Sequence, residues 1–231
     1  MMQRFSGVVT GLFFFIISAS AQSQKLYSVK SGEVPDHVIP PEVRYTFPTF
    51  RPGTAFLRNG SESKMRFNYN ILLDEMQFLT NANDTLTIAS PEELKYVSID
   101  SSIYYYDKGY LKQVVKSGDF VLAVRRGLTV LADGKESGYN GYSNTGSITT
   151  YNRIVSGNRA YALEVKRDAL FSPFVEYYLG DQYNHFERAG RKSFLNAFSD
   201  KRKEIQHYFR ENNVNFNNEA DLIRLMEFCT K

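Results

Sequence analysis

Apolar and polar side chains alternate along the middle of the chain, the period expected of a β-strand with one buried face. The clearest run places apolar residues on one side and polar residues on the other: Met65, Phe67, Tyr69 and Ile71 against Lys64, Arg66, Asn68 and Asn70. Asn59-Gly60, just before this run, predicts a two-residue hairpin turn, because both residue types tolerate positive φ. The run is therefore predicted to be a half-buried strand paired with Thr54–Arg58.

Further short strand candidates follow at close intervals, separated by spacers rich in Asn, Asp, Gly and Ser, which favour turns. No segment of helical period separates them, which argues against a parallel βαβ arrangement. We therefore predict an antiparallel meander, either a curved sheet or a β-roll. Its remaining strand candidates are Met76–Leu79, Thr85–Ala89, Leu94–Ile99, Ile103–Tyr106, Tyr110–Val115, Phe120–Val124, an alternating run at Tyr161, Leu163 and Val165, and Phe174–Leu179.

Past Tyr183 the apolar period changes to that of α-helices. Helices of about a dozen residues are marginal alone in water, so these are expected to pack on the sheet. Asn217 or Asn218 is placed to cap the last of them. The predicted fold class is α+β, mostly β, with two or three short C-terminal helices packed on the sheet: Lys192–Phe198, Lys201–Asn212 and Glu219–Cys229.

The N-terminus carries the parts of a secretory signal peptide. Arg4 is followed by the apolar run Gly7–Ile17 and by the small residues Ala19-Ser20-Ala21. The apolar run is shorter than the roughly 20 residues that a membrane-spanning helix needs. We therefore expect residues 1–21 to be removed and the mature protein to be exported, to the periplasm, the outer membrane or the exterior.

Composition divides the rest of the chain. Most of the prolines lie in residues 22–52, predicted to be an extended leader, before a β-rich domain at 53–183 and a helical tail at 184–231. Aromatic residues make up 15% of the chain, which is typical of sheets whose faces carry bulky side chains. Cys229 is the only cysteine. No intrachain disulfide can form, so stability must come from packing.

The segment 133–158 is dominated by Gly, Ser, Asn, Thr and Tyr and lacks the apolar content to fold alone. It is predicted to be a flexible hairpin loop. The alternative is a binding loop, because rigid tyrosines among small polar residues are the composition that binding loops share. Its candidate contact residues are Tyr139, Tyr142 and Tyr151.

Basic residues concentrate near the start of the helical tail. The formal net charge of the whole chain is +3, which argues neither for nor against nucleic acid. We expect no nucleic-acid partner. A local basic run is typical of a solvated helix face. The alternative is peripheral contact with an anionic membrane surface, where each basic group contributes about 1 kcal/mol. The residues concerned are Arg188, Arg191, Lys192, Lys201, Arg202 and Lys203.

The sequence lacks the motifs of familiar enzyme classes, including the Gly-x-Ser-x-Gly nucleophile elbow and the glycine-rich nucleotide loops. Cys229 lies too close to the C-terminus for a pre-organised nucleophile site. The carboxylate pairs Asp74-Glu75 and Glu92-Glu93 point to opposite faces of a strand. We expect no catalytic residues, metal or cofactor from these motifs, and expect the three histidines at the surface: His37, His185 and His207. The sequence leaves open whether carboxylates from distant strands meet in the folded protein and form a catalytic site.

Two stretches together resemble exported, uncharacterised proteins of the Bacteroidota. One is Phe67–Phe78, preceded by Pro52-Gly53 and Asn59-Gly60. The other is Asp181–Phe186, followed by Lys203–Ile205 and Val214–Phe216. The resemblance covers most of the mature chain and implies a signal peptide, a β-rich body and a short helical tail. It implies no activity and transfers no catalytic residues.

The same resemblance makes Thr85 a candidate for O-glycosylation. Proteins of such bacteria are modified at Asp followed by Ser or Thr and a small apolar residue, and Asp84-Thr85-Leu86 fits that short pattern.

These observations favour a non-enzymatic envelope protein that binds another envelope protein or a surface component through its sheet and its tyrosine-rich loop. A second hypothesis is a carrier that shelters a lipid or other apolar ligand in a curved sheet, in a cavity lined by residues such as Phe67, Tyr69 and Tyr105. A third is a carboxylate-dependent hydrolase.

Overall fold

A computed structural model describes residues 25–131, 165 and 168–231 of the protein. The signal-peptide candidate at 1–21, the loop at 133–158 and the strand candidate around Tyr161 and Leu163 lie outside these residues. The strands are β1 (Tyr27–Val29), β2 (Arg51–Leu57), β3 (Glu62–Asn70), β4 (Glu75–Leu79), β5 (Thr85–Thr87), β6 (Leu94–Ile99), β7 (Ser102–Tyr106), β8 (Tyr110–Ser117), β9 (Phe120–Leu131), β10 (Ala169–Gly180) and β11 (Phe186–Arg188). The helices are α1 (Pro35–Val38), α2 (Pro41–Arg44), α3 (Arg191–Ala197), α4 (Arg202–Glu211) and α5 (Glu219–Thr230), with 3-10 turns at Pro91–Glu93 and Ser199–Lys201.

These strands form one antiparallel sheet in the order β1-β10-β9-β8-β7-β6-β2-β3-β4-β5, with β11 also paired to β10. Most neighbours are consecutive along the chain, so the predicted antiparallel meander is confirmed. Two pairings depart from it: the chain returns from β5 to place β6 beside β2, and β1 pairs with the distant β10. The order begins at β1 and ends at β5, so the sheet formed by the described residues is open.

The sheet is curved. The Tyr69 hydroxyl on β3 lies 3.5 Å from the Arg126 carbonyl oxygen on β9, although four strands separate β3 from β9 in the sheet order. Strands are spaced about 4.8 Å apart, so five intervals of a flat sheet would hold these residues roughly 24 Å apart. Only a strongly curled sheet brings them together.

The turn between β2 and β3 lies where the sequence predicts it but has another geometry. The Leu57 amide donates to the Ser61 carbonyl at 2.9 Å, which leaves three residues in the loop. Only Gly60 has a positive φ, of 89°, as in loops that combine a type I turn with a left-handed residue. The Asn59 side chain accepts from the Ser61 amide instead. The prediction of a two-residue turn is therefore wrong.

The polar side of β3 is buried at its C-terminal end, where the sequence pattern predicts exposure. Asn68 and Asn70 are 2% and 1% exposed. The Asn68 side chain accepts from the Phe47 amide and donates to the Phe47 carbonyl. Asn70 Oδ1 accepts from the amides of Leu72 and Leu73. Each asparagine substitutes for a missing backbone partner, which compensates for the burial of its side-chain oxygen, whereas Asn70 Nδ2 is buried and forms no hydrogen bond of good geometry among the described residues.

The leader at 22–52 is more structured than the extended segment predicted. In its described part, β1 pairs with β10, and two one-turn helices follow. Pro35 and Pro41 open these helices, since the fixed φ of proline suits the first helical position. Val29 and Ile39 are fully buried against the sheet. The prolines of this segment therefore begin short helices as well as lying in extended chain.

Helices α3–α5 pack on β8–β10, as predicted, and their bounds differ from the predicted ones by at most one residue. Leu222, Leu225 and Met226 of α5 are buried in one cluster with Leu122 and Val124 of β9. We call this side of the sheet the helix face and the other side the opposite face. None of the helices in the part of the chain that the structure describes is long and apolar enough to cross a membrane.

The last helix begins at the predicted Glu219 and ends at Thr230, one residue beyond the predicted end. Asn218, one of the two candidate caps, accepts from the Asp221 amide at 3.1 Å. Cys229 lies on the inner face of α5 and is 2% exposed. Burial raises the pKa of its thiol to about 12, and Lys201 only partly offsets this. The thiol therefore stays protonated and acts as a small apolar group in the core.

Candidate functional site

The turn after β3 places one carboxylate at the junction of three distant strands. Asp74 has a φ of 53°, which aspartate tolerates better than most residues. Its Oδ1 accepts from the Tyr69 hydroxyl at 2.6 Å and from the Tyr110 amide at 3.1 Å. Its Oδ2 accepts from Arg125 Nη2 at 2.5 Å. We call Tyr69, Asp74, Tyr110 and Arg125 the Asp74 hub.

Gly109 gives Arg125 its path to this carboxylate. A side chain on Gly109 would collide with the Arg125 guanidinium and would lie 2.7 Å from Asp74 Oδ2. The φ of Gly109 is +139°, a conformation that residues with a side chain rarely adopt. The β7–β8 turn therefore requires glycine for both its backbone and its close approach to the ion pair.

The tyrosines around the hub are deeply buried. Burial, followed by the Asp74 charge, holds the pKa of Tyr69 well above its ordinary value of 10. Burial raises the pKa of Tyr104 to about 12, with Thr46 acting in the other direction. The hydroxyl groups of Tyr104 and Tyr110 form no hydrogen bond of good geometry within the described residues, although the Thr46 side chain and the Met76 backbone lie near enough to act on their pKa values. The site therefore combines buried, neutral tyrosines with one partly exposed ion pair.

A second polar chain continues from the hub along β10. Glu176 lies directly across from Arg125 in the β9–β10 ladder. Its carboxylate accepts from the Tyr178 hydroxyl at 2.9 Å and pairs with Arg188 of β11 at 3.1 Å. Positive and negative groups therefore alternate across this part of the opposite face, which satisfies each of them.

A row of aromatic rings crosses the opposite face beside these charges. Phe56 and Tyr96 are direct cross-strand partners with ring centroids 4.6 Å apart. Tyr105 follows at 6.4 Å from Tyr96, and Phe186 at 5.5 Å from Tyr105. We call these four residues the aromatic row. Tyr105 is buried, whereas the other three are partly exposed, so the row presents aromatic surface to solvent.

The loop before β11 holds the end of this row in place. Residues 180–186 connect β10 to β11 and fold over the opposite face. Asn184 Nδ2 donates to the Lys95 carbonyl, and the Phe186 amide donates to Asp107 Oδ2 at 2.8 Å. The Phe186 ring covers Gly180, where any side chain would collide with it. Tyr183, at the loop tip, is 65% exposed.

Three of the six predicted basic contact residues are engaged within the protein. Arg188 pairs with Glu176, as described above, and Arg191 lies over the Phe209 ring at 4.8 Å. Lys201 Nζ donates to the Cys229 carbonyl at 3.1 Å, near the end of α5.

Lys192, Arg202 and Lys203 are exposed on the helical layer and form no ion pair among the described residues. The six residues therefore do not form one uniform patch. An anionic surface would meet mainly these three.

The structure bears on only one of the other predicted site residues. Tyr139, Tyr142 and Tyr151 lie outside the described residues. Thr85, the O-glycosylation candidate, is exposed at the start of edge strand β5. Its modification stays a prediction.

The residues considered for chemistry lie apart from one another. His37, His185 and His207 are exposed, as predicted. Asp74 binds the hub, whereas Glu75 accepts from Gln77 and from Thr87. Among the described residues, no group of three histidine, cysteine, aspartate or glutamate side chains is arranged to hold a metal ion.

Sequence reasoning missed the Asp74 hub and the aromatic row. A signal for the hub was present, since Arg125-Arg126 interrupts an otherwise apolar strand, and a charge on a buried strand needs a partner. The row gave no separate signal, because its residues follow the ordinary alternation of sheet strands.

Comparisons with known proteins add no relative: no family model matches the chain, and no similar curated protein or solved structure was found.

Proposed function

We propose that this chain is an exported, non-enzymatic protein of the cell envelope that binds another envelope protein or surface component through the aromatic row. The partly exposed rings of Phe56, Tyr96 and Phe186 carry this proposal. Aromatic side chains supply large contact areas at low entropic cost and are enriched at interfaces. The neighbouring charges, paired within the protein, would form the polar rim.

Export rests on the signal-peptide pattern of residues 1–21 and on the resemblance to exported Bacteroidota proteins. Both are properties of the sequence alone. We propose the periplasm or the outer-membrane surface as the location, with Lys192, Arg202 and Lys203 available for peripheral contact with anionic lipid.

The contacts of the tyrosines favour this function over a carrier. Phe67 and Tyr69 are 1% and 3% exposed and pack against neighbouring rings, Phe78 and Tyr110 among them. Tyr105 belongs to a different cluster on the opposite face. The three residues named for a carrier cavity therefore do not line a common space.

The contacts of the carboxylates similarly disfavour a hydrolase. Asp74 is ion-paired with Arg125, and Glu176 is ion-paired with Arg188. A general acid or base must be free to exchange a proton with substrate, and these groups are held by arginine instead.

Site-specific photo-crosslinking in the native host tests the proposed binding. A benzoylphenylalanine probe at Tyr183, in the loop that carries Phe186, should crosslink to a discrete partner. Adding Tyr96→Ala should weaken that crosslink while the variant stays folded by circular dichroism. The control probe replaces Gln206, which is exposed on α4. The same products from both probe positions, or a crosslink unaffected by Tyr96→Ala, would contradict the proposal.

A further inference from the structure

A cleft of about 320 Å³ lies between the end of α4 and the start of α3, on the helical layer and away from the aromatic row. This volume is at the lower end of the range for small-molecule sites. Its lining includes Arg191, Phe209, Arg210, Asn212, Asn213 and Phe216.

Arg191 lies at this cleft, and among the residues that the structure describes its guanidinium forms no ion pair. Its guanidinium lies over the Phe209 ring at 4.8 Å, and Phe209 in turn contacts Phe216 at 5.8 Å. The N–H groups of a guanidinium point outward in its own plane, so stacking on a ring does not consume them. The stacked ring fixes the position of the cation.

Arg210 provides the second cation. The described arginines outside α3 and α4 each contact a carboxylate or carbonyl oxygen. Arg210 has no such contact within the described residues. The helix dipole accounts for a basic residue in the last turn of α4. It does not account for a second arginine, from α3, at the same cleft.

Negative groups at the cleft limit the charge it can accept. Glu211 also lines it, and the C-terminal end of α4 carries about half a negative charge. The two arginines and Glu211 sum to a single positive charge, which the end of α4 reduces further. A carboxylate suits that balance better than a phosphate monoester, which carries nearly two negative charges at neutral pH.

We propose that this cleft binds a small organic carboxylate bearing an apolar group. The carboxylate is held by the guanidinium groups of Arg191 and Arg210, and the apolar part contacts Phe216. Val214, beside Phe216, extends the apolar lining. Such a site is independent of the proposed binding by the aromatic row, which lies on the other side of the sheet.

The test is a titration of the mature chain followed by ¹H–¹⁵N NMR, with phenylacetate as the probe. Saturable shifts are expected at the amides of Asn212 and Asn213. Neutral phenylacetamide, which keeps the ring and loses the charge, should bind at least tenfold more weakly, and phenyl phosphate should also bind more weakly than phenylacetate.

Two arginine variants separate the cleft from general charge. Arg210→Gln should weaken phenylacetate binding about tenfold, the effect of losing one charge-assisted hydrogen bond. Arg202→Gln removes the same charge from the same helix, about 12 Å away along its axis, and should leave binding unchanged. Arg191→Gln should weaken binding similarly, with its fold checked by the spectrum.

Absence of saturable shifts would overturn the proposal. Equal binding of phenylacetamide would also overturn it, as would equal losses in Arg202→Gln and Arg210→Gln. Tighter binding of phenyl phosphate than of phenylacetate would refute the assignment to a carboxylate.

Discussion

The Asp74 hub predicts opposite effects for two tyrosine-to-phenylalanine substitutions in one cluster. The Tyr69 hydroxyl donates to Asp74 Oδ1 at 2.6 Å. The Tyr104 hydroxyl is buried and forms no hydrogen bond of good geometry in the described part of the chain, with the Thr46 side chain as its polar neighbour. The two ring centroids are only 5.9 Å apart, so the substitutions remove the same atom from nearly the same surroundings.

The expected magnitudes follow from these contacts. A hydrogen bond to a charged group contributes about 1.5 to 3 kcal/mol. The Asp74 side chain is 30% exposed, so solvent screening places Tyr69→Phe near the lower end, at about 2 kcal/mol of destabilisation. Asp74 stays anchored by Arg125, which keeps the perturbation local. Tyr104→Phe removes an unsatisfied polar group and should be neutral or stabilising by about 1 kcal/mol.

Urea unfolding of both variants beside the wild type measures the difference, provided that the m-values agree. A double-mutant cycle of Tyr69→Phe with Asp74→Asn should give a coupling energy above about 0.5 kcal/mol. Equal midpoints for the two single variants would refute the assigned role of the hub. A loss of 1 kcal/mol or more in Tyr104→Phe would show that its hydroxyl is satisfied.

Four further outcomes are expected. Leu222→Ala should destabilise the protein by about 2 to 5 kcal/mol because it empties a buried site, while Lys203→Ala on the exposed face of α4 should change stability by less than about 0.5 kcal/mol in the same denaturation assay. Gly109→Ala should cost about 1 to 3 kcal/mol by calorimetry, since it combines backbone strain with a collision at the ion pair. The free energy of unfolding should be highest below pH 10 and fall by about 2 to 3 kcal/mol as the pH rises towards 12. The reason is that Tyr104 stays neutral in the folded state, whereas an unfolded tyrosine ionises near pH 10. Unfolding midpoints at pH 8, 10 and 11 measure this fall, and an unchanged midpoint would contradict it. Mass spectrometry of the exported protein should find cleavage after Ala21, and a retained N-terminus would contradict the signal peptide.

The strands that follow a simple pattern were predictable from the sequence. Leu94–Ile99 is recovered with its bounds unchanged, because alternation and flanking turn residues agree there. The prediction for β9 ended at Val124, yet the strand continues to Leu131. Arg125-Arg126 followed by Gly127 has the composition of a strand end. Contacts from elsewhere in the chain, including Phe174 packed over Gly127, allow the strand to continue.

The hub was not predictable because its members are far apart in the sequence. Asp74 and Arg125 are separated by 51 positions, and their contact depends on the register of every strand between them. A one-residue slip in any of these strands would turn its side chains to the other face. Sequence pattern indicates that Arg125 needs a partner, but only the assembled sheet brings Asp74 to it.

Residues that break the apolar–polar alternation of a strand and residues that follow it indicate different roles in this protein. Arg125 breaks the apolar pattern of its strand, and its ion pair with Asp74 joins β9 to the turn after β3, so its role follows from the structure. Tyr96 obeys the pattern and has the same spacing as a core residue, yet its ring is partly exposed. An aromatic side chain whose exposure no contact within the fold explains is a better candidate for binding a partner than a residue whose contacts already explain its role. For this reason, Tyr96 and not the more deeply buried hub is the position at which a binding function should be tested first.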